Sequence, residues 1–251
     1  MRNRRGHVLP YDDAYAENYN ETWPQNPAFL KETEYHIDTL KNIIEADSKW
    51  LDAGCGTGYF LSHFNGIPRA GFDLSESMLE KAREANKDAM FFEKHDISEP
   101  NEAWNNQWDV VSCTGQPWAY LNTIDLIAKT VQNLYQWTKS GSGICILTPI
   151  DMIDMFNLRP DYIYSNQEFE KSVPTAINAI IWSLHETQTA SKHNFLIYPN
   201  FDQWIRWFSL YFNTIEVAHW PIEGYNIPRR CLICRDKKEE PNMKDPTLIG
   251  L

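Results

Sequence analysis

The run Leu51-Asp52-Ala53-Gly54-Cys55-Gly56-Thr57-Gly58 decides the fold of this chain. A short apolar strand ends in three glycines on alternate positions, and the spacing predicts a helix opening behind them. Glycine permits left-handed backbone and puts no Cβ between main chain and ligand, so a bound molecule can lie on the peptide plane. A dinucleotide fingerprint spaces its glycines G-x-G-x-x-G and seats a pyrophosphate on the following helix N-terminus. Here the spacing is G-x-G-x-G, with the carboxylate of Asp52 two residues before the first glycine. That carboxylate suits a ligand carrying positive charge and suits a pyrophosphate badly.

The residues downstream extend the pattern. Asp73 closes Arg69-Ala70-Gly71-Phe72-Asp73, where an acidic residue about 20 positions after the loop holds ribose hydroxyls. Leu74-Ser75 then leads into a helix from residue 76, with Ser77 and Glu80 at capping-box spacing. Residues 91–97 read as a third strand ending in an acidic residue, Asp96. Upstream, Asn26-Pro27 starts a helix over 29–46 with Ile37, Leu40 and Ile44 on one face. Further strands are read at 108–113 and 143–148, with a helix over 122–139 between them. Near-continuous apolar strands alternating with helices predict an α/β fold whose parallel sheet is covered on both faces.

After residue 150 the alternation stops. Residues 176–186 and 193–198 read as two added strands. A helix over 201–212 and strands at 214–220 and 229–235 close the fold, and the charged tail from residue 236 reads as solvated.

At the glycine loop the chain resembles the class I S-adenosylmethionine-dependent methyltransferases, whose first motif is an acidic residue followed by G-x-G-x-G. The resemblance implies a Rossmann-like, seven-stranded, mostly parallel sheet with helices on both faces and an antiparallel last strand. It also implies an N-terminal helical lid and an inserted β-rich substrate segment after strand five. The chain then divides into a lid and helix (1–46), a cofactor core (47–150), a substrate-recognition insertion (151–200), closing elements (201–236) and a tail (237–251).

The implied cofactor is S-adenosylmethionine, leaving as S-adenosylhomocysteine. Asp52, Gly54, Cys55, Gly56 and Gly58 form its loop. Asp73, with Leu74 and Met78, takes the ribose, and Asp96 and Ile97 take the adenine. Thr114 follows strand four. Tyr11-Asp12-Asp13-Ala14-Tyr15-Ala16-Glu17-Asn18-Tyr19-Asn20 is similar to the Y-D-x-x-A-x-x-Y-D opening of small-molecule methyltransferases, stretched by one residue, which makes Tyr11 and Tyr19 the lid candidates.

Cys113-Thr114-Gly115-Gln116-Pro117-Trp118-Ala119-Tyr120-Leu121 is similar to the C-x-G-N-S-x-x-H-L segment of glycine and amino-sugar N-methyltransferases, with Gln116, Pro117 and Tyr120 in place of asparagine, serine and histidine. Gln116-Pro117-Trp118 has a fainter likeness to the N-P-P-Y loop of amide and adenine N-methyltransferases and lacks its asparagine. On this basis Gln116, Trp118, Tyr120, Trp182 and His185 are candidates for binding the acceptor.

The implied reaction is in-line displacement at the methyl carbon, needing no metal. Holding the acceptor about 3 to 3.5 Å away and aligned is then the protein's main task. An amine or hydroxyl acceptor must also lose a proton, which makes a base useful. His185 is the candidate base, followed by His193, and Tyr19 is the aromatic candidate at the reacting centre. The expected function is methyl transfer to N or O of a small molecule, with N favoured. A methyltransferase of protein or RNA, or a cofactor-binding protein without chemistry, stays open.

The 251 residues, 43% of them hydrophobic, suit one well-cored domain with an elaboration. A net charge of −11 argues against a phosphate-neutralising surface, so no nucleic acid is expected as partner, and it favours a cationic amine. No stretch reaches the roughly 18 apolar residues of a membrane span, and the basic start lacks an apolar h-region, so a cytoplasmic protein without a membrane partner is expected. Five cysteines, an odd number, predict free thiols. Cys231-Leu232-Ile233-Cys234 has C-x-x-C spacing, but it falls in an apolar strand where residues three apart face opposite ways, so two buried thiols and no metal are expected.

Overall fold

A computed structural model describes residues 13–27, 29–121, 123–149, 167–174, 179–186, 191–223 and 228–241, with backbone only from 167 to 197. The chain opens with helices α1 (Asp13–Thr22) and α2 (Leu30–Lys41). Strands β1 (Trp50–Ala53), β2 (Arg69–Asp73), β3 (Phe91–Lys94), β4 (Val110–Cys113) and β5 (Ile144–Leu147) follow, with α3 (Glu76–Ala85) after β2 and α4 (Ile124–Trp137) after β4. Strands β6 (Gln167–Pro174), β7 (Ala179–Glu186) and β8 (Ser191–Pro199) form a separate antiparallel sheet. Helix α5 (Phe201–Tyr211) and strands β9 (Phe212–Trp220) and β10 (Arg229–Lys237) complete the order.

The main sheet runs β3-β2-β1-β4-β5-β10-β9. All its pairs are parallel except those of β10, which runs antiparallel to both β5 and β9. This is the seven-stranded, mostly parallel sheet expected from the sequence. Each central strand feeds two cores, because alternate residues face opposite ways. Leu51, Val111, Cys145 and Leu147 pack under α4 and α5, while Trp50, Val110 and Ile146 pack under α2 and Phe64. Cys231 and Cys234 obey the same rule: both are fully buried and free, one in each core.

The glycine loop does not open a helix. Between Gly58 (φ +69°) and Gly66 (φ +82°) there is only the short 3₁₀ turn Leu61–His63. Arg69, at the start of β2 and fully buried, takes over the helix's role of satisfying backbone there. Its guanidinium donates to the carbonyls of Leu61 (2.9 Å) and Ile67 (3.3 Å), to Asn65 Oδ1 and to both oxygens of Asp88. One planar cation with five donors thereby fixes the path from Leu61 to Ile67.

Three smaller expectations are also revised. Ser75, not Ser77, caps α3, its hydroxyl accepting from Met78 N, while Ser77 reaches across to Asp13 of α1. The buried face of α2 is Thr33, His36 and Leu40, with Ile37 only half-buried. That rotation brings Glu32 to Arg229, whose Nη2 donates to its carboxylate at 3.1 Å, and stacks His36 edge-on against Trp220. Finally, β10 runs through Lys237, past the expected start of the tail, because Lys237 Nζ donates to Thr138 O (2.5 Å) and Gln136 O (3.3 Å) at the C-terminal end of α4.

The added sheet has three strands where two were expected. β6 carries Glu168, Glu170, Lys171 and Ser172, which hid it from a hydrophobic pattern. Strand β8 packs against the 3₁₀ turn Pro117–Tyr120, where the ring of Tyr198 meets Trp118 at 5.8 Å.

Candidate active site

The glycine loop is tied to the end of β2 by its own backbone. The N–H groups of Gly54 and Cys55 both donate to Phe72 O at 2.9 Å. Gly56 N donates to Asp73 Oδ2 at 3.0 Å, and Ser75 N donates to Asp73 Oδ1 at 2.9 Å, so one carboxylate joins the turns after β1 and β2. All three loop glycines have left-handed φ, between +54° and +73°, which side chains rarely adopt.

Helix α1 lies across this loop. The Thr57 hydroxyl donates to Asn20 Oδ1 at 2.6 Å, and Glu17 pairs with Lys81 of α3 at 2.6 Å. A Cβ at Gly56 would stand 3.7 Å from the Tyr19 ring. From the other side the turn after β4 folds down, and a Cβ at Gly54 would lie 2.3 Å from Pro117 Cγ.

Between these walls is a cleft of about 720 Å³, open to solvent. Nine of the expected residues line it: Tyr19, Gly54, Gly56, Asp73, Leu74, Met78, Asp96, Ile97 and Tyr120. They come from α1, from the ends of β1 and β2, from α3 and from the segments after β3 and β4, which is the edge where open α/β sheets bind ligands. Five more line it that the sequence reading passed over: Phe72, His95, Gly115, Pro117 and Leu121. Phe72 and His95 immediately precede Asp73 and Asp96, so the signal was present in their position at strand ends. Pro117 carried no signal, since its approach to Gly54 is a contact between distant loops.

Other candidates stand elsewhere. Trp118 is fully buried, T-stacked on Trp204 at 4.7 Å, so it is a core residue and its side chain does not face the cleft. The cause is Gln116, whose left-handed backbone (φ +58°) starts a tight turn that swings the next side chains around. Gln116 itself does not line the cleft, and neither does Thr114, which is buried. Cys55 points its sulfur at Gly71 of β2, and Gly58 backs onto Ala82 of α3 and Asn86 just after it. Tyr11 lies outside the described residues, and so do the side chains of Trp182, His185 and His193. On the backbone, His185 pairs with Glu168 and Lys192, and Trp182 with Ser172 and Leu196.

Asp52 sits behind the loop, 3% exposed. Burial pushes its carboxyl up to about 7; a hydrogen bond from Ser112 opposes the shift and the charge of Asp73 adds to it. Burial also raises Asp73, against the pull of the N–H groups of Ser75, Gly56 and Leu74. Burial likewise drives the Cys55 thiol up, with Asp73 and Asp52 adding to it, so this thiol stays protonated. Asp73 and Asp96 line the cleft, and no lysine or arginine does so among the described residues. The cleft therefore fits a cationic nucleoside: glycine main chain to lie on, carboxylates for hydroxyls and positive charge, and apolar Phe72, Leu74, Met78 and Ile97 for a ring.

Comparison with known proteins agrees with this geometry. Solved structures of similar fold include the PH0226 protein from Pyrococcus horikoshii OT3, with TM-score 0.64 and 18% identity over 90% of this chain and 99% of that one. Another is the sugar N-methyltransferase KedS8 from Streptoalloteichus sp ATCC 53650, with TM-score 0.59 and 15% identity over 93% and 96%. A third is the S-adenosylmethionine-bound amino pentose methyltransferase CalS10 from Micromonospora echinaspora, with TM-score 0.57 and 17% identity over 92% and 99%. No curated protein matches the sequence. Residues 44–197, more than half of the 251, match the methyltransferase domain family. The sheet, the glycine loop and this match together place the chain in that family: it belongs to the methyltransferase domain proteins.

Proposed function

We propose that this methyltransferase takes its methyl group from S-adenosylmethionine and delivers it to the nitrogen of a small-molecule amine. The observation that carries the reading is the cleft itself, in which a left-handed glycine loop and two strand-end carboxylates converge on one space. When bound, S-adenosylmethionine supplies a methyl group already activated by its sulfonium charge. Asp73 receives the ribose hydroxyls, since a carboxylate offers about four lone-pair sites and the loop N–H groups leave capacity over. Asp96 and Ile97 stand at the adenine end, and Tyr19 and Tyr120 restrict water on the opposite side.

The amine is favoured over a hydroxyl for two reasons. The described lining is acidic, and two of the fold neighbours are an amino pentose methyltransferase and a sugar N-methyltransferase. His185 of β7 is proposed as the base on the sequence reading. Replacing it by glutamine should lower turnover, and unchanged turnover at every pH would remove it from the mechanism.

The decisive test is calorimetric binding of S-adenosylhomocysteine, followed by radiolabelled methyl transfer to amino sugars and to their hydroxyl counterparts. Binding with transfer to the amines alone is expected. Absence of binding would reject the cofactor, and transfer to the hydroxyl series alone would reject the amine.

A further inference from the structure

Asp52, Trp50 and Ser112 form a hydrogen-bonded chain inside the sheet. Trp50 and Asp52 lie on one face of β1, and Ser112 of β4 is the register partner of Asp52. Trp50 Nε1 donates to Ser112 Oγ at 2.7 Å, and Ser112 Oγ donates to Asp52 Oδ1 at 2.6 Å. With Asp52 ionised the direction is fixed: an indole N–H can only donate and a carboxylate can only accept, so the hydroxyl proton of Ser112 goes to Asp52. Trp50 and Ser112 are fully buried. On the other flank the register partner is Gly71, which has no side chain.

Among the described residues no lysine, arginine or histidine pairs with Asp52. The titratable groups facing it are Asp73 on β2, Cys55 in the glycine loop and Cys113 on β4. Burial raises both thiols, which leaves them neutral, so Asp73 is the only neighbour carrying charge and its sign is the same. A buried carboxylate held by the Ser112 hydroxyl, which Trp50 in turn holds, and lacking a cation is costly unless something else supplies the positive charge.

We propose that Trp50 and Ser112 are positioning residues for the cofactor: they fix Asp52 so that the cation of the incoming nucleoside, and no residue of the protein, completes its charge. Binding then expels the carboxyl proton of Asp52 to solvent. The inference rests on the cofactor reading above and names two residues outside the cleft that govern it. Without ligand the Asp52 carboxyl is pushed up to about 7, which places the exchange in the neutral range.

The experiment is calorimetry from pH 5.5 to 8.5 in buffers of different ionisation enthalpy. S-adenosylhomocysteine, which carries an ammonium, is compared with 5′-methylthioadenosine, which does not. In the wild type the affinity of the former should climb through neutrality with proton release, and that of the latter should not. Ser112→Ala should move this climb up by about one pH unit, giving roughly fivefold weaker binding at pH 7 and near-equal binding at pH 8.5. Trp50→Phe should move it the same way by less, and Asp52→Asn should abolish it. Should one variant not fold, the nucleoside comparison in the wild type decides alone. Equal pH profiles for the two nucleosides, or a pH-independent loss in Ser112→Ala, overturn the proposal. Failure of both nucleosides to bind wild type overturns the cofactor reading instead.

Discussion

Replacing Gly54 by alanine tests how tightly the two loops are locked together. The backbone there has φ +73°, which costs a residue with a Cβ about 1–2 kcal/mol. The new Cβ would also stand 2.3 Å from Pro117 Cγ and 2.6 Å from Pro117 Cβ, so the ring must retreat by about 1 Å to reach ordinary contact. It has little freedom to do so, because Gln116 before it is already left-handed at φ +58° and Trp118 after it is fixed in the core. Overpacking of this kind costs a further 1–3 kcal/mol, which brings the total to about 2–5 kcal/mol.

Gly66 is the control. Its φ is +82°, but a Cβ there meets nothing within 4 Å, so Gly66→Ala should cost the backbone share alone. Urea denaturation followed by tryptophan fluorescence measures both. Adding Pro117→Gly to Gly54→Ala should return about 1–3 kcal/mol as a coupling energy in the double-mutant cycle. Equal destabilisation of the Gly54 and Gly66 variants, or an additive cycle, would refute the lock.

Asp73→Asn should weaken S-adenosylhomocysteine roughly 10- to 100-fold, the worth of a charge-assisted hydrogen bond, and equal calorimetric affinities would remove Asp73 from ribose binding. Arg69→Met strips the carbonyls of Leu61 and Ile67 of their partner and should cost about 2–4 kcal/mol, read as a lowered urea midpoint; a loss under 1 kcal/mol would mean the 3₁₀ turn holds itself. Asp52 has a folded pKa above its unfolded value, so its contribution is fully present below pH 4 and is lost as pH rises toward 7. Between pH 4.5 and 7.5 the cofactor-free wild type should therefore lose about 2–4 kcal/mol relative to Asp52→Asn, and parallel pH profiles would count against this. Glu32 has the opposite sign: burial would raise it, but the charges of Arg229 and His36 prevail and hold it at about 2, so its contribution is present above pH 4.5 and fades as pH falls toward 2. Glu32→Gln should flatten the acid limb of a urea-stability profile there, and an unchanged limb would rule out the pair as its source.

The cofactor side of the cleft was legible because each of its features has a local cause. Three alternate glycines can only mean unusual backbone, and Asp73 and Asp96 close apolar runs whose length and period mark strands. What escaped depends on contacts between distant residues. A helix and a 3₁₀ turn both bury Leu61 and Phe64, and only the guanidinium of Arg69, a charge inside an apolar strand, chooses between them. Trp118 read as a cleft residue because it follows strand four, yet the left-handed step at Gln116 turns it into the core. Pro117 and Gly54 are 63 positions apart, and nothing in either segment announces their contact. On α2 the polar Thr33 and His36 displaced Ile37 from the buried face, because Arg229 and Trp220 lie opposite.

These long-range contacts also explain how the loop side of the cleft keeps its shape. The glycine loop is braced from below by Phe72 O and Asp73, from one side by Pro117 and from behind by α3 at Gly58, all through backbone or tightly packed atoms. Helix α1 is held differently. Its polar ties to the body among the described residues include Asn20 to Thr57, Glu17 to Lys81 and Asp13 to Ser77, and the Glu17 and Asp13 pairs are exposed, a class worth no more than about 1 kcal/mol each. Only Tyr15 and Ala16 of α1 are fully buried, against Met78. The stiff half of the cleft thus spares the cofactor the cost of ordering its own loop. The Tyr19 ring of α1 sits over Gly56, so the helix covers the part of the loop that is braced from every other side.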